Sequence, residues 1–217
     1  MDRLSGSQIE EFFRPYYTHA LPDALYAQVR RYIDLLLRWN RRMSLTTITD
    51  PLQILRFHFG ESLFAIDQIP IRHGRLADVG SGAGFPAVPI RMALEGVAIT
   101  LVESSRKKCA FLSELTRELS LSNVDVHPGR MEDMKDSQAR FDYVTARAVA
   151  IDGTFLNWAS SALKPGGAVG LWLGHDDATR VSQSDVFDWR PTVKIPDSER
   201  RVLLIGKRRI QSPGCST

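Results

Sequence analysis

The stretch DVGSGAGFP at residues 78–86 decides the fold class of this chain. It follows a short apolar run at residues 76–79, typical of a buried strand, and leads into a helical pattern at residues 86–94. Such a turn lies at the carboxyl end of a strand, where open α/β sheets bind ligands. Glycines there let the backbone pass close to a ligand and adopt positive φ. The stretch therefore predicts a ligand-binding turn; the alternative is a tight turn without a ligand.

The spacing of the glycines narrows the choice of ligand. A dinucleotide-binding loop needs G-x-G-x-x-G, and its third glycine would fall on Phe85. Asp78, Gly80, Gly82 and Gly84 instead give acidic-x-G-x-G-x-G, which argues against a nicotinamide-dependent dehydrogenase. This pattern resembles the first motif of class I S-adenosylmethionine-dependent methyltransferases. The resemblance makes these four residues candidates to bind S-adenosyl-L-methionine, whose amino-acid part such a loop accommodates.

Strands alternate with helices along the rest of the chain. Strand-like runs lie at residues 76–79, 98–103, 124–127, 141–145 and 168–173, and a closing hairpin is predicted at residues 192–195 and 202–205. This order predicts a Rossmann-like α/β domain with a mostly parallel sheet and an antiparallel last strand. Helical periodicity predicts an N-terminal extension, residues 1–70, packed on a methyltransferase domain, residues 71–206. Residues 207–217 are expected to form a flexible basic tail.

Composition excludes several classes of protein. The 217 residues are 43% apolar and 24% charged, which excludes wholesale disorder, collagen and coiled coil. Cys109 and Cys215 are far apart and lack metal-ligand spacing, so neither a disulfide framework nor a metal site is expected. The net charge of +3 is a weak indication of an anionic partner. Because neither a membrane-spanning run nor a signal-peptide pattern is present, we expect a soluble, cytoplasmic protein.

Two further segments agree with such a cofactor. Glu103 ends the second strand, where a carboxylate can accept hydrogen bonds from both ribose hydroxyls; the alternative is that it caps the helix that starts near Ser105. Met131 and Glu132 follow the third strand, in the loop that lies beside the adenine in this fold, and a flexible thioether can pack on a base. The alternative for this loop is a solvated acidic turn.

Several segments together resemble the ribosomal RNA small-subunit methyltransferase G family, also called glucose-inhibited division protein B. They are WN at 39–40, LT at 45–46, DP at 50–51, RFHF at 56–59, ESL at 61–63, the glycine stretch, KKCAFL at 107–112, FD at 141–142, TARA at 145–148 and LKPGG at 163–167. The resemblance covers residues 35–175, and RFHF and TARA are its most specific parts. Departures from the family pattern are Ser44, the pair Gly60 and Glu61, and the pair Leu173 and Gly174.

The resemblance implies methylation of N7 of one guanine in a decoding-centre loop of 16S rRNA. It places Gly80, Phe85, Met131, Glu132 and Arg147 on cofactor-contacting positions. Guanine N7 has an in-plane lone pair and attacks a sulfonium methyl without first losing a proton, so we expect in-line transfer without a general base. Positioning alone can lower such a barrier by about 7–11 kcal/mol. The expected partner is 16S rRNA or the small ribosomal subunit, with no membrane, and the expected state is a monomer.

Arg147 is the candidate catalytic residue, because it follows the fourth strand at the presumed cleft. We expect its guanidinium to bind the methionyl carboxylate or an RNA phosphate in a bidentate way. The alternative is an ion pair with Asp142 or Glu132 that only shapes the loop. His58 is either a hydrogen-bonded structural residue or lies near the substrate, and it is not expected to bind metal.

An RNA substrate predicts a basic surface. The candidates are Arg38, Arg41, Arg42, Arg56, residues 106–108 and residues 207–209. Two other functions remain open from the sequence: a class I methyltransferase that acts on a protein or a small metabolite, and a non-catalytic RNA-binding module with a vestigial cofactor fold.

Overall fold

The computed structural model describes residues 5–209, and this part of the chain begins with five helical segments. They are α1 (Gly6–Phe13), α2 (Asp23–Asn40), α3 (Pro51–Ile54), a π-helical segment (Leu55–Gly60) and α4 (Glu61–Gln68). The Ser5 side chain accepts a hydrogen bond from the Gln8 backbone N–H and caps α1, and Asp50 caps α3 in the same way. The helical character expected for the front of the chain therefore has local causes.

The helices lead into one sheet that has eight strands among the described residues. They are β1 (Gly74–Val79), β2 (Val97–Glu103), β3 (Val124–Pro128), β4 (Phe141–Arg147), β5 (Leu163–Gly174), β6 (Phe187–Trp189), β7 (Val193–Lys194) and β8 (Arg201–Arg208). The order is β3-β2-β1-β4-β5-β8-β6, with β7 paired to β8. The β3–β2, β2–β1, β1–β4 and β4–β5 pairs are parallel, whereas β8 is antiparallel to its neighbours. The order of the strands changes direction at β1, because β2 and β3 lie on one side of it and β4 and β5 on the other. This places the glycine turn at the switch point where such sheets bind ligands.

Helices cover both faces of the sheet. Within the described residues they are α5 (Ala87–Ala93), α6 (Arg106–Glu118), a 3₁₀ turn (Met131–Asp133), α7 (Gly153–Ala162) and α8 (His175–Ser182). Successive residues of β1 point to opposite faces: Leu76 belongs to a core that also contains Tyr32 and Phe59 of the N-terminal helices, and Ala77 to a second core around Phe155 of α7. The N-terminal helices thus share a core with one face of the sheet.

The expected α/β class is confirmed, with its mostly parallel sheet, its antiparallel last strand and its N-terminal helices. Two short elements, α8 and β6, were not predicted. The expectation that the tail begins at residue 207 is wrong for its first residues, because Lys207 and Arg208 end β8 and the Arg209 side chain pairs with Asp188 at 2.8 Å. Residues 210–217 of the expected tail lie outside the described residues.

Candidate active site

The glycines of the turn after β1 meet different surroundings. Gly80, Gly82 and Gly84 have positive φ, of 70°, 55° and 92°. A Cβ at Gly80 would clash with the Val149 side chain, and one at Gly84 would lie 2.5 Å from the Tyr32 hydroxyl oxygen. At Gly82 the nearest atom would be the Gly80 carbonyl oxygen, 3.7 Å away. The turn is therefore packed at Gly80 and Gly84 and bare at Gly82, where a ligand could approach the backbone.

Aromatic side chains of the N-terminal helices support this turn. The Tyr32 hydroxyl, on α2, donates a hydrogen bond to the Ala83 carbonyl oxygen at 2.6 Å. The Phe85 ring stacks on Tyr32, with centroids 5.0 Å apart, and on His58, with centroids 4.7 Å apart. Phe59 packs edge-on against Phe85 at 5.3 Å. The N-terminal helices thus fix the shape of the glycine turn.

Glu103 lies beside the bare part of the turn. Its Oε2 accepts a hydrogen bond from the Gly82 backbone N–H at 2.9 Å, and its Oε1 accepts one from the Ser105 N–H at 2.8 Å. The cap of α6 is the Ser105 side chain, which accepts from the Lys108 N–H. Glu103 thus satisfies the backbone N–H of the cap residue, while its other oxygen faces the glycine turn. Each carboxylate oxygen has two lone pairs, so one on each oxygen stays available to a ligand.

Asp78 lies beneath the turn. It is buried, its Oδ1 accepts a hydrogen bond from the Thr145 hydroxyl at 2.7 Å, and its carbonyl oxygen accepts one from the Ser81 hydroxyl at 2.8 Å. Burial raises the pKa of Asp78 to about 7, although the hydrogen bond from Thr145 to its carboxylate lowers it. Asp78 therefore ties the turn to β4 rather than facing the open space.

A buried charged cluster lies next to the turn. Nη2 of Arg147 donates to the Phe57 carbonyl oxygen at 2.8 Å and lies 3.1 Å from His58 Nδ1 and 3.4 Å from Glu61 Oε2. Glu61 is fully buried, and its other oxygen accepts from Arg201 Nη2 at 2.7 Å. Burial lowers the pKa of Arg147 to about 10, while Glu61 opposes the shift, so Arg147 is charged at neutral pH. Arg147 Nη1 is buried without a hydrogen-bond partner among the described residues.

A short segment after α2 closes the site. Asn40, at the end of α2, accepts hydrogen bonds from the Leu45 and Thr46 backbone N–H groups and donates to the Thr46 carbonyl oxygen at 2.8 Å. The Thr46 hydroxyl lies 2.8 Å from His58 Nε2 and accepts from the Ile48 N–H at 3.1 Å. Burial and the charge of Arg147 lower the pKa of His58 to about 3. The imidazole is therefore neutral at physiological pH.

These parts enclose a cavity of about 370 Å³. It is lined by Ser44, Leu45, Thr46, Thr47, Ile48, His58, Gly80, Ser81, Gly82, Ala83, Phe85, Lys108, Arg147, Ala148 and Arg201. The candidates Gly80, Gly82, Phe85 and Arg147 thus meet at one cavity, whereas Asp78, Gly84 and Glu103 support its glycine wall. Met131 is half-buried and Glu132 is exposed, and neither lines the cavity. Among residues 5–209, His, Cys, Asp and Glu form no group that could hold a metal ion, and no helix could span a membrane.

Comparison with known proteins gives the family of this chain. A family model described as rRNA small subunit methyltransferase G matches residues 25–186. This chain belongs to the rRNA small subunit methyltransferase G family. A ribosomal RNA small subunit methyltransferase G of Alkaliphilus oremlandii is 40% identical over 151 residues, which are 68% of this chain and 63% of that protein. The protein of the same name from Streptococcus thermophilus is 40% identical over 199 residues, 86% of this chain and 84% of that protein.

Solved structures agree on the fold of this family member. A SAM-dependent methyltransferase from Aquifex aeolicus superposes with a TM-score of 0.63 at 12% identity, covering 80% of this chain and 98% of that one. The class I methyltransferase fold expected from the glycine turn is therefore confirmed.

The structure corrects one alternative for this methyltransferase G chain. Arg147 pairs with neither Asp142 nor Glu132: its carboxylate partner is Glu61, and Asp142 instead pairs with Lys164 at 2.9 Å. Arg147 is also more deeply buried than a residue at the rim of a cleft, with 8% of its side chain exposed. Its guanidinium joins the π-helical segment to the end of β4.

Sequence reasoning did not identify Asn40, Thr46, Glu61 or Arg201 as parts of the site. The WN and LT pairs contain the first two, and their spacing is what lets the Asn40 side chain clamp the 45–46 backbone. Glu61 was noted within the ESL segment of the resemblance and, with Gly60, as a departure from the family pattern, but not as a site residue. Arg201 has no local signal, because it reaches the site from the other end of the chain, across the antiparallel pair of β5 and β8.

Proposed function

We propose that this chain transfers a methyl group from S-adenosyl-L-methionine to N7 of a guanine in a decoding-centre loop of 16S rRNA. Family membership supports an rRNA methyltransferase of the small subunit. The fold supports the donor, because the bare glycine turn sits at the switch point of the sheet. The choice of atom is supported by the cavity itself.

The observation that carries the choice of N7 is that the described residues of the cavity wall include no carboxylate and no imidazole with a free ring nitrogen. Among its described lining residues the ionisable ones are Lys108, Arg147, Arg201 and His58, and none is a carboxylate. His58 is neutral, but both of its ring nitrogens are within hydrogen-bond distance of protein partners. Amino and imino nitrogens and hydroxyls lose a proton when they are methylated, whereas N7 does not. A wall without a base therefore suits N7.

The bound donor supplies an electrophilic methyl group on a positively charged sulfur. The N7 lone pair forms the new bond to carbon, the electron pair of the carbon–sulfur bond stays on sulfur, and the positive charge moves to the base. No proton is transferred. The protein contributes by aligning N7, the methyl carbon and sulfur and by excluding water. This positioning lowers the barrier.

The residues that fit the donor follow from their free hydrogen-bonding capacity. Arg147 Nη1 has hydrogens without an acceptor among the described residues, and it suits the methionyl carboxylate. Glu103 retains a lone pair on each oxygen for the two ribose hydroxyls. The loop of Met131 and Glu132 follows β3 and is joined to Glu103 by a Gly129 N–H bond of 3.0 Å, which suits the adenine. The rest of the proposed donor site is the glycine turn. It consists of Gly80, Gly82 and Gly84, with Asp78 beneath them and Phe85 after them.

The substrate must present its base outside a regular helix. N7 lies in the major groove, which A-form RNA makes deep and narrow, so the target guanine has to be in a loop or splayed out. We propose small-subunit RNA or the assembled subunit as the partner and a monomeric, cytoplasmic enzyme.

The experiment is transfer of labelled methyl groups from S-adenosylmethionine to small-subunit RNA, to ribosomal protein and to metabolites by the purified chain. The product guanine is then located by borohydride reduction and aniline cleavage, which cut RNA at N7-methylguanine. Label in RNA with cleavage at one guanine supports the proposal. Label confined to protein or metabolites supports the rival methyltransferase, and binding of RNA without transfer supports a non-catalytic module.

A further inference from the structure

The directions of two hydrogen bonds beside the cavity are fixed by chemistry. A guanidinium only donates, so His58 Nδ1, 3.1 Å from Arg147 Nη2, must accept. The imidazole is neutral, and its hydrogen therefore sits on Nε2. Nε2 then donates to the Thr46 hydroxyl oxygen, 2.8 Å away. Arg147 thus selects the tautomer of His58, and His58 determines what the Thr46 hydroxyl can do.

The Thr46 hydroxyl is left with only its hydrogen to offer. A hydroxyl has one hydrogen and two lone pairs. One lone pair accepts from His58 and the other from the Ile48 N–H at 3.1 Å. Within residues 5–209 no acceptor for the remaining hydrogen is present. Thr46 lines the cavity, and Asn40 holds its backbone on both sides, so this hydrogen is presented to a ligand from a fixed position.

We propose that Thr46 is a specificity-determining residue whose hydroxyl donates to O6 of the target guanine, and that His58 and Arg147 act as positioning residues that keep it a donor. This inference rests on the proposed guanine-N7 activity. On the edge of the base that carries N7, guanine presents the O6 acceptor next to N7, whereas adenine presents an amino donor there. An ordinary hydroxyl could serve either base by turning its hydrogen. A hydroxyl whose two lone pairs are both occupied can only donate. It therefore binds the O6 of an oxo purine and discriminates against the amino group of an amino purine.

The methionyl carboxylate of S-adenosylmethionine is the other acceptor that could bind the Thr46 hydroxyl hydrogen. Two other groups are available to bind that carboxylate: Arg147 Nη1 is buried without a partner among the described residues, and Lys108 lines the same cavity. Thr46 belongs to the segment at residues 44–48, which enters the cavity from outside the glycine turn. We therefore assign the base, rather than the donor, to Thr46.

The test compares bases that differ at position 6. Small subunits are reconstituted with 16S rRNA that carries guanine, inosine, 2,6-diaminopurine or 7-deazaguanine at the target, and single-turnover methylation is measured. We expect inosine, which has O6, to react nearly like guanine. We expect diaminopurine to react roughly 10- to 100-fold more slowly, because its 6-amino group faces the Thr46 hydroxyl hydrogen and both donors are left unpaired. In T46V the guanine and inosine rates fall roughly tenfold towards the diaminopurine rate. T46S keeps the hydroxyl and restores the discrimination.

A second variant tests the hydrogen bond from His58 while the Thr46 hydroxyl stays in place. H58F keeps a ring to stack on Phe85 but frees one lone pair of Thr46. We expect its diaminopurine rate to rise relative to its guanine rate, so that the ratio of the two rates falls towards one, with folding checked by thermal unfolding. Unchanged discrimination in T46V and H58F would overturn the inference. A weaker affinity of T46V for S-adenosylmethionine with discrimination intact would also overturn it, and would assign the hydroxyl to the donor. Methylation of 7-deazaguanine by the wild type would instead contradict the proposed function, because that base lacks N7.

Discussion

Arg147 and Glu61 form an ion pair without a hydrogen bond between them. The Nη2 atom lies 3.4 Å from Glu61 Oε2, but its two hydrogens are directed to the Phe57 carbonyl oxygen and to His58 Nδ1. Oε2 accordingly has no hydrogen-bond partner among the described residues. Glu61 therefore acts on Arg147 through charge alone, while Arg201 supplies the hydrogen bond that holds its other oxygen. One buried carboxylate balances two cations at the cavity.

Removal of the Glu61 charge should destabilise the fold. E61Q keeps the size of the side chain but leaves Arg147 uncompensated in the interior. Breaking a buried pair in this way lowers the free energy of unfolding by about 3–5 kcal/mol. Urea denaturation measures the loss. The matched control is D177N, whose partner Arg180 is 59% exposed, and which should cost less than about 1 kcal/mol. Equal stability of E61Q and the wild type would contradict the role of charge.

Loss of Arg147 should weaken the binding of S-adenosylmethionine. R147A removes the unpartnered Nη1 that we assign to the methionyl carboxylate, and a charge-assisted hydrogen bond of this kind is worth roughly 10- to 100-fold in Kd. R147K retains a positive charge but loses the planar fork, so an intermediate affinity is expected. Calorimetric titration of the folded variants gives both values. If R147A binds the donor like the wild type, its guanidinium serves RNA instead.

The pH dependence of stability should report the burial of His58. Its pKa is about 3 in the folded chain against 6.5 for the free side chain, so between these values the unfolded chain binds one more proton. The free energy of unfolding then decreases as the pH falls, by about 2 kcal/mol from about pH 7.5 to about pH 5. H58Q cannot titrate and should lack this part of the decrease. Parallel curves for the two proteins would show that the pKa of His58 is the same in the folded and the unfolded chain.

The glycines of the turn should separate stability from binding. G80A meets Val149 at a φ of 70°, so it should mainly lower stability, by about 1–3 kcal/mol from the strained backbone plus the cost of the clash. G82A is strained at a φ of 55° but its Cβ enters open space, where we place the donor. It should therefore weaken donor binding more than G80A does, once both are compared below their melting temperatures. The opposite order would place the donor elsewhere.

Local pattern was enough to predict the sheet and the glycine turn, because strands, helices and turns follow from neighbouring residues. It could not predict the cluster around Arg147, because Glu61 and Arg201 are 140 residues apart and meet only when β8 inserts beside β5. The position of Arg147 just past the fourth predicted strand made it a candidate site residue but did not indicate that it is buried. The Asn40 clamp was visible as two short motifs whose shared purpose appears only in the folded chain.

RNA binding should depend on a second, basic groove, lined in part by Arg38, Arg42 and Lys107 on α2, its following turn and α6. It has a volume of about 530 Å³, and Trp39 on its wall is bonded to Glu114 at 3.1 Å. Lys108, the neighbour of Lys107, lines the active-site cavity, so RNA phosphates in the groove would lie close to the target base. Each lost phosphate contact reduces the slope of log affinity against log salt by about 1.

R42A and K107A should therefore weaken binding of small-subunit RNA and flatten its salt dependence, whereas their affinity for S-adenosylmethionine should not change. R190A is the matched control, because Arg190 is an exposed cation that follows β6, on the edge strand of the sheet opposite β3. Filter binding at several salt concentrations gives the slopes. A slope that falls in R190A as much as in R42A would mean that the charge acts through the overall field of the protein, rather than through contacts in this groove.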